Sequence, residues 1–151
     1  MAWTNIGKQR MFEQFFEASS APTDFYLAAS PSSAEFNAST VYVSSVGEVT
    51  ASGGYVSGGL EVLRGGGVSG FLTSSGVDFA IAELSPTGSY VLSANEGQSI
   101  NDVRVFMLTN DRAHGEGAGG REIYAYWSTG SDVDIGGEST LTITSASLQG
   151  T

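Results

Sequence analysis

Read for the spacing of its apolar and polar positions, the chain divides into one helical segment followed by short segments of β character. In MAWTNIGKQRMFEQFFEAS, Met11, Phe12, Phe15 and Phe16 recur at separations of three and four, which places them on one face of a helix. Lys8, Arg10, Glu13 and Gln14 are left for the other face, and Trp3 and Ile6 add to the apolar side. Thr4 or Asn5 fits the N-cap, where a side-chain oxygen accepts from an orphaned backbone N–H. A helix this short is marginal alone in water, so its apolar face must dock. Two occupants are open at this level: the chain's own β body, closing an edge or a sheet face, or a neighbouring subunit.

From residue 25 the period shortens. Phe25 to Ala29 (FYLAA) reads as a buried strand that Pro31 stops, and Thr40 to Val49 as a strand broken near Ser45 and Gly47. Gly53 to Leu63 alternates glycines with Tyr55, Val56, Leu60 and Val62, as in a strand that bulges. Val77 to Leu84 and Ser89 to Ala94 follow as strands, and Ser85-Pro-Thr-Gly88 between them as a turn. Asp102 to Thr109 (DVRVFMLT) is the strongest β run, apolar on both faces in its second half, and belongs at the centre of a sheet. Asn110 to Gly120 reads as an exposed loop, Arg121 to Thr129 as an aromatic strand, Gly130 to Gly137 as a turn and Ser139 to Ser147 as a strand with one wet face.

About eight strands at spacings near a dozen residues predict a mainly β protein. The expected architecture is an antiparallel β-sandwich or jelly roll with one N-terminal amphipathic helix, and a barrel would satisfy the same pattern. The whole chain, 1–151, reads as a single domain, with 1–18 as a helical arm and 25–151 as the body. Its 21 glycines against 3 prolines suit tight turns, because Gly supplies the positive φ that hairpins need.

Charge narrows the function classes. With 16 acidic and 6 basic residues the net charge is −10, which repels a phosphate backbone and argues against nucleic acid as a partner. The basic residues are scattered rather than gathered into a membrane-binding patch. A basic partner surface suits the chain better. No segment approaches the roughly 20 apolar residues of a membrane span, and polar residues interrupt the N-terminus where a secretory signal would need an apolar run. The expectation is a soluble, unprocessed protein.

Candidate chemistry is sparse. There are no cysteines, which removes thiol catalysis and zinc–thiolate sites. His114 stands beside Asp111, Arg112 and Glu116, yet no serine has a nucleophile-elbow context, so a solvated loop histidine is the simpler reading. Asp132, Asp134 and Glu138 space carboxylates as a Ca²⁺ loop does, but two or three carboxylates fall short of the usual six to eight oxygen ligands. Tyr124, Tyr126 and Trp127, with Tyr55 and Tyr90, would make a sugar-stacking platform only on a shared exposed face; otherwise they are core. We therefore expect no catalytic, cofactor-binding or metal-ligating residues.

Three stretches carry a resemblance. Trp3-Thr-Asn-Ile-Gly-Lys8 leading into Met11-Phe12-Glu13, then Pro22-Thr-Asp-Phe-Tyr-Leu-Ala28, then Gly53-Gly-Tyr-Val-Ser-Gly-Gly59 resemble a recurring pattern of small bacteriophage virion accessory proteins. The resemblance covers roughly the first sixty residues. It implies a virion structural protein with a β-sandwich body and no enzymatic role. The expected kind is a capsid decoration (cement) protein on the capsid surface, with a tail or fibre protein of receptor- or glycan-binding role as the alternative. The implied partners are the major capsid protein, copies of the chain itself as a homo-oligomer, or both. The expected partner-binding residues are Trp3, Met11, Phe12, Phe15 and Phe16, since a few aromatic anchors usually carry most of such binding.

Overall fold

The computed structural model describes residues 2–10, 25–31, 36–62, 81–84, 90–110, 120–137, 139–143 and 146–149. The protein is mainly β and its described sheets are antiparallel. The strands are β1 (Ala2–Trp3), β2 (Phe25–Ser30), β3 (Leu60–Val62), β4 (Ile81–Leu84), β5 (Tyr90–Ser93), β6 (Ile100–Asn110), β7 (Ile123–Ile135), β8 (Thr140–Ile143) and β9 (Ala146–Gln149). Residues 5–10 are helical (α1) and Val43–Val46 form a single turn of helix (α2).

A five-stranded sheet in the order β1-β7-β6-β2-β3 is the largest of the described sheets. β6 lies at its middle, as its apolar run predicts. Leu27 pairs with Leu108 and Ala29 with Phe106, so odd residues of β2 share one face with even residues of β6. On that face Leu27, Ala29, Phe106, Leu108 and Ala125 pack with Leu92 and Ala94 and, partly buried, Leu141. The paired strands β5 and β8 therefore lie against this sheet. On the opposite face Ala28, Met107 and Ile123 pack with Val43, and Phe36, Val46 and Tyr126 lean on them. Because both faces are covered, Val105 to Asn110 of β6 are buried without alternation.

Four expectations need correction. Thr40 to Val49 is not a strand: Tyr42 makes one bridge to Glu122, and α2 follows. Val43 and Val46 are three residues apart, so one helical turn, not an extended chain, puts both on the sheet, and the Gly47 N–H closes that turn on Val43 O at 2.9 Å. Of Gly53 to Val62 only Leu60–Val62 is strand, and two turns, at Gly53–Gly54 and Ser57–Gly58, precede it; Leu63 lies outside the described residues. Gly53 has a φ of +64°, and a Cβ there would meet Ser99 O at 2.0 Å, so the chain turns where only glycine fits. Gly130 to Gly137 is no hairpin turn, since β7 continues to Ile135. Val103 pairs with Val133 but Val105 with Ser128, which leaves three extra residues on β7 as a bulge. Finally, Ser139 to Ser147 makes two ladders, β8 on β5 and β9 on β4.

Candidate functional site

Four charged side chains, Arg10, Glu48, Arg121 and Glu122, meet where β7 begins. Low charge density makes this arrangement informative, because each buried ion must find a partner. Glu122 is buried and Arg121 nearly so. Their backbone is held from two sides. Asn110, fully buried at the end of β6, accepts the Glu122 N–H on Oδ1 at 3.0 Å. Arg121 O accepts the Val43 N–H at 2.9 Å, and Val41 O accepts the Ile123 N–H at 2.8 Å.

The N-terminal arm reaches this point through a bulge. Leu108 pairs with Ala125 but Thr109 with Ile123, which leaves Tyr124 as an extra residue and turns two successive carbonyls toward the arm. Thr4 fills the gap. Its hydroxyl donates to Ile123 O and lies 3.1 Å from Tyr124 O, while accepting the Gly7 N–H at 3.1 Å as the N-cap of α1. The Lys8 N–H completes the first helical bond to Thr4 O at 3.1 Å. Gly7 lies so close to β7 that a Cβ would sit 2.2 Å from Tyr124 O. Arg10 then reaches Glu122 with two bonds, Nε to Oε2 at 3.0 Å and Nη2 to Oε1 at 2.6 Å.

On the other side, Arg121 pairs with Glu48, each side chain 13% exposed. Glu48 Oε1 also accepts the Tyr55 hydroxyl at 2.7 Å and the Gly58 N–H at 2.5 Å. Tyr55 in turn accepts the Ala29 N–H of β2 at 2.9 Å. Burial pushes the Tyr55 phenol well above its ordinary value; the Ala29 bond opposes this, and the Glu48 charge adds to it. The phenol is therefore a neutral strut. The ions alternate in sign along the row Glu48, Arg121, Glu122, Arg10, and each carboxylate is satisfied by a guanidinium together with hydroxyl or N–H donors. This arrangement clasps chain segments together.

The expected site residues fall as follows. Trp3 pairs with Ala125 at the sheet edge and packs, partly buried, on the core. Met11, Phe12, Phe15 and Phe16 lie outside the described residues, as does His114. The start of the helix therefore docks on its own body. Asp132 pairs with Arg104 at 3.2 Å, and Asp134 accepts the Asp102 N–H at 2.9 Å. Among the described residues no three His, Cys, Asp or Glu converge as metal ligands. Among the aromatics whose side chains are described, Tyr55 and Tyr124 are buried, Tyr126 lies tilted against Phe36 with ring centroids 5.1 Å apart, and Trp127 packs on the opposite side of the sheet, so these four share no exposed face.

The sequence pattern left Arg10 for the polar face of the helix without a partner and missed Glu48, Arg121 and Glu122. The one available signal was Arg-Glu directly before an aromatic strand in a chain with few charges. Beside Tyr55 an open cleft of about 360 Å³ is lined by Tyr26, Val56, Leu60 and Leu92 together with turn backbone. No helix among the described residues is long and apolar enough to cross a membrane. Compared with protein-family models, curated proteins and solved structures, the chain finds no match.

Proposed function

We propose that this chain is a bacteriophage virion structural protein of the capsid decoration (cement) kind. On this reading it has a β-sandwich or jelly-roll body, binds the shell of major capsid subunits, assembles as a homo-oligomer on the capsid surface and catalyses nothing. One observation carries the reading. The described parts of the three stretches that resemble virion accessory proteins all belong to the five-stranded sheet or are bonded to it. Thr4 and Gly7 of the first seat the arm on β7. Phe25 to Ala28 of the second belong to β2. In the third, Tyr55 bonds the β2 backbone and Gly58 bonds Glu48.

Residues far apart in sequence but joined in one sheet specify a framework, and the resemblance falls on residues of that framework; because a fold alone decides no role, the motifs themselves are what supports the reading. The arm continues from α1 into Met11, Phe12, Phe15 and Phe16, which act as the apolar anchors toward the partner, and Trp3 holds the arm's root. The alternative, a tail or fibre protein that binds glycans, has less support, because Tyr55 and Tyr124 are buried and Tyr126 and Trp127 lie on opposite faces of the sheet. The test is the copy number of this protein in purified particles, against the major capsid protein, by quantitative mass spectrometry. Stoichiometry comparable to the major capsid protein is expected. A small minority of copies would move the protein to the tail or fibres, and its absence from particles would overturn the virion reading.

A further inference from the structure

We propose that the Arg121-Glu122 dipeptide couples the N-terminal arm to the Gly53–Gly59 turn, so that withdrawing the arm loosens the turn. The two side chains serve different elements: Glu122 holds Arg10 of the arm, and Arg121 holds Glu48, which in turn holds Gly58 N–H and Tyr55. The backbone between them has little room to absorb a shift. Asn110 brackets Glu122, accepting its N–H at 3.0 Å and donating its own N–H to Glu122 O at 3.4 Å. A second path runs in parallel. Arg121 O holds Val43 at the start of α2, and α2 leads through Gly47 directly to Glu48. Any displacement at Arg121 therefore reaches Glu48 both through the ion pair and through α2.

Charge reinforces this mechanical link. The row alternates in sign, with side-chain exposures of 13% for Glu48 and Arg121 and 10% for Glu122, and only Arg10, at 43%, opens to solvent. Removing the Arg10 guanidinium leaves the Glu122 charge with less compensation at the start of β7, which disturbs the neighbouring Arg121–Glu48 pair. The turn so controlled carries Val56, 61% exposed at the rim of the cleft. A partner that engages the arm would thus alter the surface around Val56. This consequence rests on the proposed function; the coupling itself does not.

The test is hydrogen exchange on the isolated full chain. Arg10→Met should speed exchange of the Gly58 and Gly59 amides by about tenfold, and Glu48→Gln should speed Gly7 and Lys8 by a similar factor, because coupling between two sites is reciprocal. The Met107 amide, in the central strand, should not change. If Glu48→Gln fails to fold, Tyr55→Phe takes its place, removing one Glu48 donor and leaving the Arg121 pair. Faster exchange confined to the mutated element would overturn the coupling, as would a matching rise at Met107, which signals global loosening. Intact coupling in a chain that never binds particles would overturn the decoration role alone.

Discussion

Replacing Gly7 by alanine tests how tightly the arm is seated. In an ordinary helix this change stabilises by about 1 kcal/mol, because Ala loses less backbone freedom than Gly. Here the new Cβ would lie 2.2 Å from Tyr124 O and 2.8 Å from Tyr124 Cα. Restoring an ordinary C···O contact of about 3.3 Å requires moving the arm by roughly 1 Å. Thr4 N and Thr4 Oγ1 each lie 3.1 Å from that same Tyr124 oxygen, so such a shift takes both out of hydrogen-bonding range. Two lost bonds at about 1 kcal/mol each and at least about 1 kcal/mol of overpacking outweigh the gain in propensity, for a net loss of about 2 kcal/mol. Urea denaturation should show a lower midpoint with an unchanged slope, and the melting temperature should fall by about 4–8 °C. Gly136→Ala is the control: a Cβ there meets nothing within 4 Å, so stability should hold within about 0.5 kcal/mol. A Gly7→Ala protein as stable as the parent, or more so, would refute the docked arm.

Three further outcomes are expected. The Tyr55 phenol is held neutral in the fold, above its ordinary value of 10.0, so folded and unfolded forms are alike below that pH. Above it only the unfolded form ionises and stability falls, by up to about 1.4 kcal/mol per pH unit; Tyr55→Phe should remove that alkaline slope in urea titrations while costing about 1–3 kcal/mol at neutral pH through the unpaired Ala29 N–H. Arg121→Met leaves Glu48 buried without its cation and should cost about 3–5 kcal/mol, whereas Arg104→Ala, from a half-exposed pair with Asp132, should cost no more than about 1 kcal/mol; equal losses would contradict the assignment of the buried row. Asp102 adopts a φ of +58° at the β6 bulge, so Asp102→Val should lower the thermal midpoint by an amount equivalent to about 1–2 kcal/mol, and Asp102→Gly should not lower it.

Local pattern alone determined the β character, the centrality of Asp102 to Thr109, the Phe25–Ala29 strand and a helix N-cap at Thr4 or Asn5, of which the structure uses Thr4. In each case the deciding quantity is a short-range period or a side chain that bonds its own neighbours, and both are written in consecutive residues. The same reading failed at Thr40 to Val49, because valines two and three apart satisfy either period until a sheet face is present to choose. It failed at Gly130 to Gly137 because turn-forming residues also form bulges, and only a partner strand distinguishes the two. The clasp belonged wholly to the tertiary structure. Arg10 and Glu122 are 112 residues apart, and Glu48 and Arg121 are 73 apart. Nothing in their local sequence says which carboxylate meets which guanidinium. That pairing follows from the antiparallel order of β2, β6 and β7, which brings the arm, α2 and the glycine turn to one end of one strand.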